Sequence, residues 1–513
     1  MRGLPDGRWR CIFSRAIDAR VGIWAFLVGA CESATGFAEW YLGGNGRDST
    51  QAVAPAPILI DEYQHHNQHS SSPVAAQAPP DMTIPRAPDD DTDRVEHLAV
   101  AVELKFLLPL LVKGKADPDA ADNRPPQVIP AKLRNDAEAC QRLAYRSIAD
   151  TIQEAGPKST TIHAIADGGL TERHFWETHW IVKKANSAEP GPTDDTEAYV
   201  WVGVEISSPK FPVCESHTHR QMDHVLRALM ARHRLVANYT CEVHVHLGRR
   251  DGERFRLSAL KRLASFLWAA EPVLRSIRDP NSPNYDNVYT WGSELRRFSR
   301  LAQAIDASED GHRQSLMLKE KNRPCINVKQ KSENSISLRG IMPDPQVLAA
   351  LPPLEQRASR VDEQAIGAIC KAPTHTELGR LLSGPSKQYR RLGFNFSAFG
   401  LEDERAERSP RTVEFRMMEG TVRPDLILNW VAICARVVIV AVVPDGGKFH
   451  DALWKALGTT AAGHQEGDAE VALTDEDGTL GCRKGREFSG LMQALGLPRD
   501  VYAGFEEKVI REH

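Results

Sequence analysis

Four short segments of this chain carry acidic, imidazole and guanidinium side chains at alternate positions between apolar residues. In chain order they are residues 102–106 (VELKF), 202–209 (VGVEISSP), 243–248 (VHVHLG) and 412–416 (TVEFR). Because alternate side chains of a strand point to one face of a sheet, each segment places its polar groups on one side. A face of this kind suits a site for a metal ion and phosphate better than it suits a core.

The alternation also has structural explanations, and these stay open at the level of sequence. The same-face pairs are Glu103 with Lys105, His244 with His246, and Glu414 with Arg416. The first acidic residue could lie on a solvated edge strand, and the last pair could be an ion pair within the sheet. Two buried histidines without a role would be costly unless both were hydrogen-bonded, so the histidines favour a functional interpretation.

Composition limits the classes of partner. The 513 residues include 64 Lys+Arg and 68 Asp+Glu, a net charge of −4, which gives no reason to expect nucleic acid as a partner. Apolar residues make up 42% of the chain, enough for a large core. The nine cysteines show no C-x-x-C pair, which favours a reducing compartment and predicts an intracellular protein.

Membrane signals are weak. Residues 21–31 form an apolar run that slightly resembles the core of a signal peptide, but the run is too short to span a bilayer. Residues 426–443 are longer and contain Asn429 and Arg436, which favours a buried helix. We therefore predict no membrane partner.

The chain divides by composition into a leader, a catalytic unit and an extension. Residues 1–95 contain a run rich in Pro, Ala, His, Gln and Asp, from Gln51 to Asp93, and are predicted to be a disordered leader. Residues 96–445 hold all four motifs, with a polar surface insertion predicted at 309–358, and residues 446–513 form a C-terminal extension. Apolar periodicity predicts helices at 136–155, 221–237, 257–277 and 426–443. The fold class predicted is α+β, a curved and mainly antiparallel sheet backed by helices.

The order of the motifs resembles that of the putative amidoligase family, which is widespread in fungi. Residues 101–109 take the place of an opening strand G-[VI]-E-x-E-F, residues 204–209 resemble V-E-[IL]-V-S-P, residues 242–248 resemble G-x-H-V-H-V-G, and residues 412–421 match T-[IV]-E-F-R-x-x-E-G-T. The resemblance covers about residues 96–445. The third and fourth motifs are the most specific.

The resemblance implies a glutamine-synthetase-like fold of the carboxylate–amine ligase superfamily, with ATP and Mg²⁺ as cofactors. In that chemistry ATP phosphorylates a carboxylate, and an amine or ammonia attacks the acyl phosphate to leave an amide. The expected partners are small-molecule or peptide carboxylates and amines. Phosphoryl transfer needs positioning and charge stabilisation more than covalent help from the protein.

The site residues follow from the motif positions that the resemblance assigns. Mg²⁺ prefers carboxylate oxygen, so the expected metal ligands are Glu103, Glu205 and Glu414. The planar fork of Arg416 suits phosphate oxygens, and Lys105 and Arg391 are further candidates for phosphate binding. The remaining catalytic candidates are His244 and His246, for phosphate, metal or a substrate carboxylate, and Glu419, for support of the site or the amine.

Three departures from the family pattern leave turnover open. The second carboxylate of the first strand is replaced by Lys105, an Asp of a W-x-V-x-x-D-x-S pattern by Ala185, and a polar pair by Met417 and Met418. The first departure reverses a charge and removes one metal ligand, and the other two remove polar groups near the supposed site. A family member that binds nucleotide or peptide without catalysis is therefore the main alternative.

A zinc metallohydrolase is the alternative from another class. Two histidines and one carboxylate with an open position form a standard catalytic zinc site, which His244, His246 and Glu205 could supply. Convergence of Glu103, Glu205, Glu414 and Arg416 on one sheet face would favour the ligase. A closed cluster of the histidines and one glutamate, away from Arg416, would favour zinc.

Overall fold

The chain is organised around one long strand, β1 (Leu98–Val112), which contains the first motif. Its run of Val, Leu and Ala residues is typical of a strand in the middle of a sheet. The computed structural model describes residues 93–285, 292–307, 360–384, 392–400, 411–443, 446–464 and 480–513. The predicted leader up to residue 92, the predicted insertion at 309–358 and Arg391 lie outside these described residues.

The described strands form one mostly antiparallel sheet. The other strands are β2 (Gln127–Ile129), β3 (Ser159–Thr161), β4 (Trp180–Lys184), β5 (Tyr199–Ser207), β6 (Phe211–Pro212), β7 (Glu242–Arg249), β8 (Phe394–Asn395) and β9 (Val413–Glu419). Their order is β3-β4-β5-β1-β7-β9-β8, with β2 and β6 paired along β1. The pairs β1–β2 and β3–β4 are parallel and the others antiparallel.

The four motif strands are direct neighbours in the order β5-β1-β7-β9. The register places Glu103 between Ser207 on one side and His244 on the other. In the same way, His246 lies opposite Glu414. Residues directly opposite in a sheet share a face, so the chemistry of all four motifs collects on one surface.

A bulge between β7 and β9 decides where Glu419 lies. The register shifts between Val243 and Val245, so that β9 has one more residue than β7 across this stretch. By strict alternation Glu419 would lie on the face opposite Glu414. The extra residue restores Glu419 to the face of Glu242, its direct partner.

Helices surround the sheet. They are α1 (Ala137–Glu154), α2 (Ile162–Asp167), α3 (Ser216–Arg232), α4 (Leu257–Arg275), α5 (Leu295–Phe298), α6 (Arg360–Lys371), α7 (His375–Leu381), α8 (Pro424–Val442), α9 (Gly446–His464), α10 (Leu480–Ala494) and α11 (Arg499–Glu512). The predicted α+β class with a mainly antiparallel sheet is confirmed. The helix predicted at 221–237 corresponds to α3, which begins and ends about five residues earlier. The spacing of apolar residues indicates that a helix forms but does not determine its ends.

Helix α8 is the described helix whose length and apolar character would allow it to cross a membrane, and its most apolar window is 83% buried within the chain itself. It contacts β7, β1 and α4. The apolar residues that alternate with the polar motif positions are also buried, among them Val102, Val204, Val243 and Val245. The helix is therefore part of the core, as its two polar residues predict.

The C-terminal helices pack against this core. The ring of Phe505 in α11 lies 6.0 Å from that of Trp430 in α8. The Nε of Arg436 donates a hydrogen bond of 2.5 Å to the carbonyl of Leu495, just after α10. These contacts join described residues on either side of the predicted domain boundary at 445/446. The boundary itself stays a prediction.

Candidate active site

A group of three potential metal ligands lies at the centre of the motif strands. Ligand atoms of Glu103, His246 and Glu414 all lie within 4.8 Å of one another. Nε2 of His246 is 3.6 Å from Oε2 of Glu103 and 3.7 Å from Oε1 of Glu414. One carboxylate comes from β1, the imidazole from β7 and the other carboxylate from β9, so pairing of three distant segments creates the group.

The second histidine of the motif faces the same point. Nδ1 of His244 is 3.2 Å from Oε1 of Glu414 and 3.5 Å from Oε2 of Glu103. Its other nitrogen, Nε2, lies 2.9 Å from Oε2 of Glu242, an acceptor, so Nε2 carries the proton. Nδ1 of His246 in turn lies 3.1 Å from Oγ1 of Thr412. Each ring is thus fixed by one nitrogen and presents the other to the carboxylates, as metal-binding histidines do.

The inward nitrogens provide a test of whether the residues fit a cation. Nδ1 of His244 and Nε2 of His246 are buried and make no hydrogen bond to any described residue. Buried polar atoms without a hydrogen bond are uncommon and call for an explanation such as an ion. Two carboxylates and imidazole nitrogen are donors that suit a divalent cation. The residues present therefore fit a divalent cation, which the resemblance implies to be Mg²⁺.

The charges around this point are unbalanced. Among the described residues, ion pairs at this point link five carboxylates, Glu103, Glu172, Glu205, Glu242 and Glu414, with three fixed cations, Lys105, Lys183 and Arg416. With both imidazoles neutral, as they would be in metal ligands, the site has two negative charges in excess, which one divalent cation would neutralise. Without a metal ion, protons on the histidines supply positive charge instead, because the pKa values of both are raised.

The pKa values reflect the same imbalance. Burial and the nearby Arg416 and Lys105 oppose protonation of His244, yet the carboxylates of Glu103 and Glu242 raise its pKa to about 9. Burial opposes ionisation of Glu414, but Arg416 and the histidines hold the pKa of Glu414 far below its ordinary value. Glu414 is therefore ionised, and in the absence of a metal ion His244 carries a proton beside it.

The inner end of the site is a buried ionic cluster. Nη1 of Arg416 donates to Oε1 of Glu414, and Nη2 lies 3.9 Å from Oε2 of Glu242. Nζ of Lys105 donates to the same oxygen of Glu242 over 3.5 Å. Glu242 thus accepts from Lys105 and His244 and lies near Arg416, although the motif analysis did not select it. The sequence does contain an indication of this residue, because Glu242, His244 and His246 lie at alternate positions of one strand and therefore share a face.

The outer side of the site is organised by Lys183 of β4. Its Nζ lies 3.3 Å from Oε1 of Glu205, 3.1 Å from Oε2 of Glu172 and 3.7 Å from Oε1 of Glu103. Glu205, an expected metal ligand, is therefore on the right face but is paired with an ammonium and is not part of the three-ligand group. Burial and the neighbouring Glu103 raise the pKa of Glu205.

A cavity of about 220 Å³ opens beside the group. Its floor is made of small residues, Ala99, Ala101 and Gly248, and this absence of bulk on the sheet face leaves the space. Glu103, His246 and Lys183 reach it from the site, and Trp176 forms part of the wall. A molecule in this cavity would lie next to Glu103 and His246, two of the potential metal ligands.

Glu419 lies at the edge of the ionic cluster. Its Oε1 accepts the backbone N–H of Asp279 at 3.1 Å, and its Oε2 accepts from Nζ of Lys508 at 2.6 Å. Gly420 follows, and a Cβ there would collide with Cys241. The close approach of β9 to the start of β7 therefore requires glycine at this position. Glu419 thus contacts α11 and the segment after α4, and its expected role in support of the site or in binding the amine stays a prediction.

Three of the residues that depart from the family pattern, Ala185, Met417 and Met418, are buried and packed against other residues. Ala185 packs in a buried cluster with Leu107 and Ala188. The residue of that segment that reaches the site is Lys183, which sequence reasoning missed because one lysine in a strand is a weak signal. Met417 and Met418 are buried core residues at the bulge, so their apolar character is explained by packing.

The expected zinc arrangement is not formed among the described residues. His244, His246 and Glu205 do not make up a ligand group, and the group that exists lies beside Arg416. The geometry that was expected of a ligase, with the acids and the guanidinium on one sheet face, is the geometry observed.

One family model matches this chain. The family described as "Putative amidoligase enzyme" matches residues 137–329, which include Lys183, Glu205, Glu242 and both histidines but neither β1 nor β9. No curated protein and no solved structure matches the chain. Over residues 137–329 the chain therefore resembles the putative amidoligases, which supports a function of the ligase type.

Proposed function

We propose that this protein is an ATP-dependent ligase that joins a carboxylate to an amine or ammonia through an acyl phosphate. The observation that carries the proposal is the convergence of Glu103, His246, Glu414 and Arg416 on adjacent strands. The proposal extends to a glutamine-synthetase-like fold, because a mainly antiparallel sheet bears the acids on one face.

The acidic and basic residues of the site would have different roles. Glu103, His246 and Glu414 would hold Mg²⁺, which when bound supplies positive charge to the phosphate oxygens. Arg416 lies next to Glu414 but is 5% exposed and does not line the cavity, so it would act on a bound phosphate through its positive charge and by holding Glu414 in place. The orientation of His244 by Glu242 keeps the imidazole directed at the same point. The site thereby stabilises charge that develops on the transferred phosphoryl group.

The reaction balances as two transfers. A carboxylate oxygen of the substrate attacks the γ-phosphorus and ADP leaves. The amine nitrogen then attacks the acyl carbon, phosphate leaves, and the amine proton passes to a carboxylate of the site. The cavity beside Glu103 and His246 would exclude water from the acyl phosphate while the amine enters.

A non-catalytic relative is the second candidate, and Lys105 is the observation that favours it. An ammonium stands where the family pattern has a carboxylate, only 5% exposed. Its contact with Glu242 compensates the charge, however, so the substitution is built into the cluster rather than left unpaired.

Trapping of the intermediate tests the proposal. The full-length protein is incubated with ATP, Mg²⁺, hydroxylamine and a panel of amino acids, dicarboxylates and short peptides. An acyl phosphate gives a hydroxamate together with one ADP, so we expect both products in equal amounts for at least one carboxylate.

Two variants make the result specific. Arg416→Gln should abolish hydroxamate formation, whereas Glu138→Gln, an exposed change on α1, should leave it unchanged. ATP binding without ADP or hydroxamate for any carboxylate would instead identify the non-catalytic relative. Activity that needs zinc and no ATP would contradict both proposals.

A further inference from the structure

We propose that the site holds one divalent cation and that the ammonium of Lys183 occupies the position of a second. This inference rests on the proposed function only in assigning a phosphate as the ligand of the two charges. The number of cations is a property of the residues alone and can be measured without any turnover.

The first argument is the arrangement around Nζ of Lys183. Carboxylate oxygens of Glu172, Glu205 and Glu103 lie 3.1, 3.3 and 3.7 Å from this one atom. They come from three parts of the fold: the turn Glu172–His174, β5 and β1. Three convergent carboxylates are a typical environment for a divalent cation. Here the centre of the convergence is a side chain of the protein.

The second argument is the division of Glu103 between two centres. Its Oε1 faces Lys183, while its Oε2 faces the imidazoles of His244 and His246. In sites with two metal ions the cations lie about 3.5–4 Å apart and act on both the attacking and the leaving oxygen. Glu103 therefore has the position of a bridging carboxylate, with an ammonium on one of its two sides.

The third argument is access. Lys183 lines the cavity together with Glu103 and His246, and 21% of its side chain is exposed. Lys105 is the other ammonium of the site, but it is 5% exposed and does not line the cavity. A ligand in the cavity can therefore contact Lys183 and not Lys105. This makes Lys183, rather than Lys105, the lysine that we assign to phosphate.

The chemistry of the ligand follows from the pair of charges. An ammonium is a compact point charge with three N–H donors, and its carboxylate neighbours hold it in place. Beside a divalent cation it would bind the anionic oxygens of a phosphate. Glu205 then has the role of positioning Lys183, and its role as a metal ligand is not required.

Counting bound Mn²⁺ tests this inference. Calorimetric titration of the full-length protein with Mn²⁺, without nucleotide, should give one site per chain. Electron paramagnetic resonance of the complex should show the signal of an isolated ion. Lys183→Ala removes the ammonium and frees three carboxylates, so this variant should bind two Mn²⁺ with the signal of a coupled pair.

Two matched variants separate the role of the ammonium from a general change of charge. Lys183→Arg keeps a cation at this position and should bind one Mn²⁺. Lys210→Ala removes another lysine of the same cavity, one that pairs with Glu177 at 2.6 Å, and should also bind one Mn²⁺. Thermal melts of all variants check the fold.

The outcomes are distinct. A coupled pair of ions in the unaltered protein would overturn the inference, even if Lys183→Ala did not fold, and would leave the proposed ligase intact. A single ion in a folded Lys183→Ala would overturn it as well. No bound Mn²⁺ in any form would remove both the inference and the metal of the proposed function. One ion, becoming two in Lys183→Ala, would support the inference even if no ligase activity were found.

Discussion

Two ionic clusters adjoin strand β5, and only one of them has the properties of a site. The candidate site lies around Glu103 and Glu205. Near the other end of β5, Tyr199 belongs to a second cluster, here called the Arg234 network: Asp117, Asp122, Arg124, Tyr199 and Arg234.

The Arg234 network is closed. Nη1 of Arg234 donates to both oxygens of Asp117 at 2.8 and 2.9 Å, and its Nε and Nη2 donate to the carbonyls of Arg124 and Asp122. The hydroxyl of Tyr199 donates to Asp117 at 2.5 Å. Each donor has an acceptor, so the network joins the loop after β1 to the segment after α3 and leaves no capacity for a ligand.

The candidate site is open by the same criteria. Two buried imidazole nitrogens make no hydrogen bond to a described residue, the fixed charges do not balance, and a cavity adjoins the group. Charge density alone therefore does not distinguish a site from a structural network. Unused hydrogen-bonding capacity next to a cavity does.

The largest expected effect comes from a matched pair of isosteric changes. Glu414→Gln in the site should lower turnover by about 10²–10³-fold, because a charge that holds the cation and orients Arg416 is lost. Asp117→Asn in the Arg234 network should leave turnover unchanged and lower the free energy of unfolding by about 1–3 kcal/mol, because Arg234 loses charged acceptors. Hydroxamate assays and urea unfolding measure the two quantities. Equal losses of turnover in both variants would erase the distinction between the clusters.

Lys105→Glu asks whether the departure from the family pattern is a defect. The new carboxylate would face Glu242 and Glu205 in a buried place. We expect unfolding to become easier by about 3–5 kcal/mol, as when one partner of a buried pair is removed. We expect no gain in ATP-dependent turnover. A gain would show that the natural chain is an impaired enzyme.

The free energy of unfolding should depend on pH through a histidine beside the Arg234 network. His233 is buried beside the Arg234 network and contacts the hydroxyl of Thr151 at 2.8 Å. Burial, and then Arg232 and Arg124, lower its pKa from 6.5 to about 4. The unfolded chain therefore takes up a proton near pH 6.5 while the folded chain does so only near pH 4. The full stability is present above pH 6.5 and falls by about 3 kcal/mol as the pH decreases to 4.

Denaturant unfolding between pH 4 and 8 measures this dependence, with His233→Gln as the comparison. The variant should lose this part of the pH dependence, since Gln does not titrate. An unchanged slope in His233→Gln would assign the dependence to other groups.

The smallest effect is expected at the edge of the site. Lys508→Ala removes a partly exposed ion-pair partner of Glu419. Glu419 would still accept the hydrogen bond from the backbone N–H of Asp279. The free energy of unfolding should fall by less than about 1 kcal/mol, as for other partly exposed pairs. Turnover should change little. A loss as large as that of Glu414→Gln would instead make the C-terminal helix part of the catalytic machinery.

Much of the fold could be predicted from local pattern. The helices at 136–155 and 257–277 were located nearly to their ends, because an apolar stripe of helical period is a property of one segment. The same holds for the four motif strands. The bulge in β9 could not be predicted, since it depends on how many residues of one strand oppose those of another.

The sequence by itself determined which side chains share a face, because alternation along a strand is fixed by backbone geometry. The alternation thereby identified Glu103, His244, His246, Glu414 and Arg416 as side chains on the polar faces of their strands. Only the tertiary structure decided that β5, β1, β7 and β9 are neighbours, that Lys183 reaches between three carboxylates, and that Glu205 is thereby engaged by an ammonium. Those facts depend on pairing between segments far apart in the chain, and a periodicity that repeats every two residues contains no information about the partner strand.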